Sequence, residues 1–338
     1  MHADLGSTDP RSRSIELSVV TPAFNEKGNL VELHRRLAPV LDELRLAWEI
    51  VIVDDGSSDE TWAEICRLNH ADPRVRGLRL SRNFGHQYAL FAGLHHASGR
   101  AVVTMDADLQ HPPVVVSLLV EAWKNGARIV NTVRIDPPDF SFSKRLFAWA
   151  FYSVFSYLSG VKLSHGMADF RLLDRTVVDQ LLTLREEGLF LRGLVQWVGF
   201  ATQNIEFQCD PRFSGKTKYT LRRMLKFAWQ GVTSFSIIPL RMSVLMGVLT
   251  SLLAFYWLLE AIYTKVVLQR TVPGWASTVV ILTFLFGVLF IMLGLIGEYI
   301  GRILVQVRSR PLYIVAELTP GLPAAESHPV TRTTIESR

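Results

Sequence analysis

The sequence predicts an α/β domain built on a mostly parallel sheet, followed by two membrane-spanning helices. Short apolar segments alternate with segments of helical periodicity over residues 17–133, and strands joined by helical crossovers form parallel sheets. Two apolar segments of 22 residues follow, at 242–263 and 276–297. The chain of 338 residues is 49% hydrophobic, and its mean hydropathy of +0.22 is unusual for a purely soluble enzyme.

The α/β segment divides into strands and helices of ordinary length. The predicted strands are 17–21, 49–53, 75–80, 101–105 and 127–133, and the predicted helices are 30–44, 59–69, 86–97 and 114–124. The strands are nearly continuous Val and Ile runs, as expected when helices cover both faces of a sheet. Right-handed crossovers then bring the carboxyl ends of the strands to one edge, where open α/β folds bind ligands.

The remaining segments predict attachment to a membrane. Residues 142–158 and 219–235 combine aromatic and basic residues, which is typical of helices lying in the bilayer interface. A buried core helix is the alternative for the first of them. At the helical rise, 242–263 and 276–297 each extend roughly 33 Å, enough to cross the hydrocarbon core.

The predicted organisation is a series of four regions. They are a disordered N-terminus at 1–14, the α/β domain with its interfacial helices at 15–235, a two-helix membrane region at 236–302 and a tail at 303–338. The N-terminus is polar, so no cleavable signal peptide is predicted. The tail is polar from about Glu317 and is predicted to be disordered.

The flanking charges predict the orientation of the two spans. Seven Lys and Arg residues flank their outer ends, whereas the connection 264–275 carries two. The positive-inside rule therefore places both termini and the α/β domain in the cytoplasm, at the inner (plasma) membrane, with membrane lipids as partners. Gly294, Gly297 and Gly301 can seat a neighbouring helix, so a homo-oligomer is possible, although this spacing can equally be neutral.

Charge and cysteine content exclude several classes of protein. The net charge is +5, which is modest for this length, and no nucleic-acid partner is expected. Cys66 and Cys209 lie far apart, so they predict neither a disulfide framework nor a cysteine metal site. A reducing compartment fits this usage.

The most informative motif is Asp106-Ala107-Asp108, which directly follows the fourth predicted strand. Two carboxylates at i and i+2 on an extended turn can both reach one divalent cation, and Gln110 adds a neutral oxygen. An acidic turn that caps the next helix is the alternative, because Asp-x-Asp by itself is a weak pattern.

Polar groups also follow the other predicted strands. Asn25 and Glu26 follow the first, Asp54 and Asp55 end the second, and Asn83 follows the third. Acids at a strand end before a Gly-Ser turn can hold ribose hydroxyls or a base edge, while a plain turn with a helix cap at Asp59 is the alternative. Four consecutive strand ends therefore place polar groups on one edge of the sheet.

These motifs resemble a known family. The matching segments are Thr21–Glu26, Asp54–Thr61, Arg82–Gly85, Met105–Gln110, Asp169–Arg175 and Arg212–Tyr219. In this order, ahead of two spans, they resemble the family 2 glycosyltransferases of the GT-A fold, and more closely the membrane-anchored polyprenyl-phosphate glycosyltransferases. The resemblance covers roughly residues 15–315. Val114, where the family often carries Glu, and His111 depart from the pattern.

The resemblance implies a Rossmann-like GT-A fold and a role for each matching residue. It assigns Asp106, Asp108 and Gln110 to Mg²⁺ or Mn²⁺; Pro22, Phe24, Glu26, Asp54, Asp55, Asn83 and Asp106 to the nucleotide; Asp169, Phe170 and Arg171 to the sugar and acceptor; Arg212, Lys216 and Lys218 to phosphates from a mobile loop; and Arg134 and Arg145 to the lipid phosphate. Catalysis would rest on Asp106, Asp108, Arg171, Arg212 and Lys218.

The implied reaction is chemically coherent. A nucleoside-diphosphate sugar breaks at its anomeric carbon when a cation and basic side chains neutralise the departing diphosphate. A polyprenyl phosphate acceptor is already ionised, so a general base is not obligatory. In-line attack would invert the anomeric centre. The resemblance favours glucose from a uridine donor, with modified arabinose, N-acetylated hexoses, galactose and mannose as alternatives.

Two other interpretations stay open at this point. A processive polysaccharide synthase of the same fold usually carries Gln-x-x-Arg-Trp and more spans, whereas Gln196-Trp197 lacks that spacing. A non-catalytic membrane scaffold or translocation partner is the third, against which the intact acidic and basic motifs argue. For each single Arg or Lys, contact with anionic lipid headgroups is the alternative to a role in catalysis.

Overall fold

The structure, a computed structural model, describes residues 15–135, 167–184, 186, 189–208, 238–267 and 274–322. Within this part of the chain, the sheet with its covering helices and the two long apolar helices belong to separate compact units. The strands are β1 (Leu17–Ala23), β2 (Trp48–Asp54), β3 (Val75–Leu80), β4 (Ala101–Thr104), β5 (Ile129–Arg134), β6 (Met167–Asp174), β7 (Thr202–Phe207) and β8 (Val315–Leu318). The helices are α1 (Lys27–Glu43), α2 (Thr61–Ala71), α3 (His86–His96), α4 (Val115–Lys124), α5 (Arg175–Thr183), α6 (Leu191–Trp197), α7 (Ile238–Val266) and α8 (Trp275–Val307).

The strands form one sheet in the order β7-β5-β6-β4-β1-β2-β3-β8. The pairs β1–β2, β1–β4, β2–β3 and β5–β7 are parallel, while β6 and β8 are antiparallel to their neighbours. The prediction of a mostly parallel α/β sheet is thus confirmed. Each predicted strand and helix up to residue 134 is present, with ends shifted by a few residues.

Helices cover both faces of the sheet. Leu33 of α1 and Leu119 of α4 are buried with Val19 and Val103 in one apolar core. On the opposite face α3 packs closely, because a Cβ added at Gly93 would lie 2.3 Å from Cγ1 of Val20. This close approach fixes α3 against the centre of the sheet.

The sequence predicts that the first strand ends at residue 21, because proline is expected to break a strand, but Pro22 does not break it. It lies inside β1, in register with Val53. Backbone groups of β1 alternate between β2 and β4: the carbonyl of Ala23 accepts from Asp55 N, and that of Val20 accepts from Met105 N. Pro22 therefore faces the β4 side just beyond the end of that strand, where its missing N–H interrupts no ladder.

The predicted disorder of the tail from about Glu317 is wrong for its first residues. β8 pairs with β3, with Leu318 opposite Leu78. Thr319 adds two bonds to Gly77: its hydroxyl accepts from Gly77 N at 2.8 Å and its own N–H donates to Gly77 O at 2.9 Å. A strand of only four residues that carries an exposed glutamate suits this position, because it forms the edge of the sheet.

The two long helices meet the length and composition needed to cross a membrane. Their apolar windows are Leu240–Thr264 and Val280–Val307, and almost none of either window is buried within the chain. Side chains such as Leu252, Phe284 and Ile291 are instead exposed. The predicted interfacial segments 142–158 and 219–235 lie outside the described residues.

Candidate active site

The carboxyl edge of the sheet collects the predicted acidic residues. Asp106 follows β4, and its backbone N–H donates to Nδ1 of His111 at 3.2 Å. The His111 ring is buried and stacks on Phe170 with centroids 4.8 Å apart. The packed ring of His111 therefore fixes the backbone of Asp106. This contact gives a structural reason for a histidine at position 111, where the sequence departs from the family pattern.

His86, the first residue of α3, pairs with Asp106. Its Nε2 lies 2.7 Å from Oδ1 of Asp106, and the two side chains are 44% and 33% exposed. Surrounding protein lowers the pKa of His86, but the hydrogen bond and charge of Asp106 outweigh this and raise it to about 9. Burial likewise opposes ionisation of Asp106, and His86 more than offsets it, so the pKa of Asp106 is lowered. Both shifts favour an imidazolium paired with a carboxylate.

The second carboxylate of the motif lies on a tight turn. Leu109 has φ +62, and the backbone N–H of Gln110 donates to Oδ1 of Asp108 at 3.2 Å. Among the described residues, no three His, Cys, Asp or Glu side chains are grouped as metal ligands. Asp106, Asp108 and Gln110 carry oxygen donors of the kind that a hard divalent cation prefers, so they are the residues of this edge that could hold one.

Asp169 forms the centre of a buried ionic cluster beside Asp106. The guanidinium of Arg192 in α6 makes a bidentate contact with this carboxylate: Nε donates to Oδ1 at 2.8 Å and Nη2 donates to Oδ2 at 2.9 Å. Arg171 adds a contact of 3.4 Å and Gln87 donates to Oδ2 at 3.2 Å. Burial opposes ionisation, but the two arginines hold the pKa of Asp169 well below its usual range.

Arg171 is buried on the same face of the sheet. Its side chain is 3% exposed, and burial lowers the pKa of its guanidinium to about 10 against the opposing effect of Asp169. Nη2 donates to the carbonyl of Ala168 at 2.9 Å, whereas Nη1 is buried without a hydrogen-bond partner. Asn131 stands opposite Arg171 in register and is also buried with both amide atoms unpaired. A polar group or water between these strands would satisfy both side chains.

The loops after β2 and β3 are bound to each other. Both carboxylate oxygens of Asp55 accept backbone N–H groups, from Phe84 at 2.8 Å and Gly85 at 2.9 Å. Burial raises the pKa of Asp55, and these two N–H groups partly counter it. Gly56 has φ +67, and a Cβ there would lie 2.4 Å from the carbonyl carbon of Arg82. Asp55 therefore fixes the loop that begins α3.

The other residues predicted to bind nucleotide surround these loops. Asp54 is buried and accepts Ser57 N at 2.8 Å, and Glu26 donates its N–H to Thr61 Oγ1 at 3.0 Å. Phe24 directly follows β1 and is 42% exposed. Asn83 is exposed on the neighbouring loop, whereas Pro22 is buried within its strand. Phe24 and Asn83 are thus accessible to a ligand.

The structure places Phe170 and Arg134, both predicted to contact substrate, in different surroundings. Phe170 belongs to the apolar core and is fully buried, because successive residues of a strand alternate faces and it points away from Asp169 and Arg171. Its predicted sugar contact is therefore wrong. Arg134 is exposed at the end of β5, on the same edge as Asp106. Arg145, Arg212, Lys216 and Lys218 lie outside the described residues.

The sequence interpretation missed three residues of the site: His86, Gln87 and Arg192. His86 and Gln87 follow Arg82–Gly85 directly, so the start of a helix at the carboxyl edge was the available signal. Arg192 has no comparable signal, because its approach to Asp169 depends on where α6 packs.

The carboxyl edge of the α/β sheet thus brings carboxylates, guanidinium groups and an imidazole together in one candidate site. Residues 18–182 match the model of Glycosyl transferase family 2. The chain is 40% identical over 304 residues to the uncharacterized glycosyltransferase YkcC of Bacillus subtilis (strain 168), covering 90% of this chain and 94% of that one. It is 37% identical over 309 residues to the bactoprenol glucosyl transferase of Shigella phage SfII, covering 91% and 100%.

The chain belongs to glycosyltransferase family 2, and it is a glycosyltransferase. The interpretation as a non-catalytic scaffold is set aside. A more distant likeness exists to the glucosyl-3-phosphoglycerate synthase of Mycobacterium tuberculosis in complex with Mn²⁺ and UDP-glucose. It has 17% identity and a TM-score of 0.44 over 65% of this chain and 78% of that one, which is too remote to support an argument.

Proposed function

We propose that this glycosyltransferase transfers a hexose from a nucleoside-diphosphate sugar to a polyprenyl phosphate, with inversion at the anomeric carbon. One observation carries the proposal: the carboxylate of Asp169 is engaged on both oxygens by Arg192, and on one each by Arg171 and Gln87. The relatives that are bactoprenol glucosyl transferases support glucose as the sugar and an isoprenoid as the acceptor.

The state of Asp169 bears on the class of acceptor. A hydroxyl acceptor needs a base to take its proton, and a good base has a pKa near the working pH. Asp169 is a poor base because two guanidinium groups hold it ionised and occupy its lone pairs. A phosphate acceptor is ionised before it binds, so it requires no such base. The same arginines leave this part of the site positively biased, which suits an anion.

The donor half is proposed to lie between the loops after β1 to β4. Asp106 and Asp108, with Gln110, would hold a divalent cation, either Mg²⁺ or Mn²⁺. When bound, such a cation neutralises charge on the departing diphosphate. The exposed ring of Phe24 and the exposed Asn83 would contact the nucleoside. Asp55 and Asp54 would act by fixing the loops, since their carboxylates already bind the protein backbone.

The sheet topology bears on which side of a membrane the carboxyl edge of the α/β domain lies. The chain leaves the sheet after β5 and β7, and re-enters it at β6 and β8, always at this edge. Because α7 and α8 lie between β7 and β8, the chain must cross a membrane an even number of times between them. With the excess of basic residues at the outer ends of these helices, this supports a cytoplasmic site beside the inner (plasma) membrane.

The segments outside the described residues complete the proposal. Arg145 and the exposed Arg134 would bind the lipid phosphate, and Arg212, Lys216 and Lys218 would bind substrate phosphates. A homo-oligomer through α8 rests on Gly294, Gly297 and Gly301, where an added Cβ would meet no atom within 4 Å.

The test compares two acceptors that differ by one group. Purified full-length protein is given a radiolabelled nucleotide sugar with either polyprenyl phosphate or the corresponding polyprenol. We expect label in the organic-extractable product with the phosphate and none with the alcohol. Equal use of the alcohol would show that a base is present and would overturn the proposal, and a water-soluble polymer would favour the processive synthase.

A further inference from the structure

The first turn of α3 contacts two acids of the site, Asp106 and Asp169, through consecutive side chains. His86 meets Oδ1 of Asp106 at 2.7 Å, and Nε2 of Gln87 donates to Oδ2 of Asp169 at 3.2 Å. Asp106 belongs to the donor half and Asp169 to the acceptor half of the proposed site. One helical turn therefore spans the two halves.

Gln87 also fixes the start of α6. Its Oε1 accepts the backbone N–H of Leu191, the first residue of that helix, at 3.1 Å. The side chain of the N-cap residue Phe190 does not cap the helix, and Gln87 satisfies an N–H that a helix start would otherwise leave to solvent. Arg192, the next residue, donates a hydrogen bond to Asp169. Contacts therefore connect four residues in a closed ring: Gln87, Leu191, Arg192 and Asp169.

The start of α3 is itself fixed from the sheet. Asp55, at the end of β2, accepts the N–H groups of Phe84 and Gly85 just before the helix. Gly85 has φ +108, a conformation that favours glycine. Fixed contacts therefore run from β2 to α3, and from α3 to Asp106, Asp169 and α6.

We propose that Gln87 is a positioning residue for the acceptor half of the site, and that His86 is one for the donor half. Gln87 sets the direction of Asp169 and Arg192, and His86 sets that of Asp106. Neither needs to touch a substrate. This inference rests on the proposed function, because it assigns the two halves by the substrates proposed for them.

The chemistry of the amide makes Gln87 testable. The amide donates to Asp169 and accepts from Leu191, and glutamine is long enough to do both. Gln87→Glu keeps an oxygen for the Leu191 N–H but turns a second carboxylate toward Asp169. It therefore disturbs the acceptor half and leaves the anchor of α6 in place.

The experiment uses full-length protein in detergent and two separate measurements. Calorimetry gives the affinity for Mn²⁺·UDP, and turnover gives kcat and the KM for polyprenyl phosphate. For Gln87→Glu we expect an unchanged Mn²⁺·UDP affinity, within about twofold, and a kcat lower by roughly 10- to 100-fold, the effect of misplacing a catalytic group by about 1 Å. For His86→Ala we expect Mn²⁺·UDP affinity to fall about 10- to 100-fold, as for other outer-shell partners of metal ligands.

Matched controls separate positioning from general damage. Gln180→Glu on α5 and His70→Ala on α2 change exposed side chains of the same type and should leave both measurements at the wild-type value. Equal losses of affinity and kcat in Gln87→Glu, or wild-type behaviour, would overturn the role of Gln87. Unchanged or tighter Mn²⁺·UDP binding in His86→Ala would overturn that of His86. Failure of wild-type protein to glycosylate polyprenyl phosphate would instead reject the proposed function.

Discussion

Replacing Asp169 by Asn should lower the thermal stability of the protein. It should leave the pH dependence of turnover unchanged. The substitution removes the negative charge that faces Arg171, which is 3% exposed, and Arg192, which binds it at 2.8 and 2.9 Å. A buried guanidinium then loses its counter-charge. Removing one partner of a buried ion pair costs about 3–5 kcal/mol.

The expected shift is large enough to measure in detergent-solubilised protein. For a domain of this size, 1 kcal/mol lowers Tm by about 2–4 °C, so the change predicts a decrease of roughly 6–20 °C. Asp179→Asn is the matched control, because Asp179 is 59% exposed and lies 3.7 Å from Arg175. Its Tm should stay within about 1 °C of wild type, since such exposed pairs contribute little.

Turnover distinguishes a structural anion from a base. If Asp169 only positions the arginines, the kcat of Asp169→Asn falls by a factor that is the same at pH 7 and pH 9, measured well below the Tm of the variant. If Asp169 takes a proton from the acceptor, the deficit shrinks as pH rises and solvent hydroxide replaces the lost base. A wild-type Tm together with such a pH-dependent rescue would refute the reasoning.

Four further substitutions or deletions have defined outcomes. Asp108→Ala should abolish turnover with an unchanged Tm, and full activity would remove the metal assignment. Lys218→Ala should lower kcat more than donor affinity, which normal kcat at saturation contradicts. Gly93→Ala should lower stability by about 1–3 kcal/mol, because its Cβ would lie 2.3 Å from Val20; an unchanged Tm rejects that packing. Deletion from residue 311 onward should lower Tm by exposing the edge of β3, and wild-type stability would contradict the role of β8.

The strands and helices up to residue 134 were predictable because their sequence patterns are local. β1, β2 and β4 are rich in Val and Ile and are buried along their whole length, so their apolar runs alone indicate them, and β3 and β5 keep shorter apolar runs. β7 is a polar edge strand with mostly exposed side chains, and β8 is an edge strand of only four residues, so neither pattern is distinct from that of a loop. β8 forms through pairing with Leu78 and through Thr319 bonding to Gly77, partners more than 200 residues away.

The site was predictable only where motif and chemistry coincide. The pair formed by Asp106 and Asp108 could be predicted because both acids follow an apolar strand. Phe170 was assigned by its place in a motif, yet the alternation of β6 turns it into the core. The ring of Gln87, Asp169 and Arg192 depends on how α3 and α6 pack against the sheet, which no local pattern contains.

The central claim, cation-assisted transfer to an ionised isoprenoid, is tested most directly by mass spectrometry of the lipid product during a metal titration. Purified protein is stripped with chelator, mixed with UDP-glucose and undecaprenyl phosphate, and supplied with increasing Mn²⁺ or Mg²⁺. The account predicts no product without the cation, and a glucosylated polyprenyl phosphate that accumulates as the cation is restored. Formation of that product at the ordinary rate in fully chelated protein would contradict it.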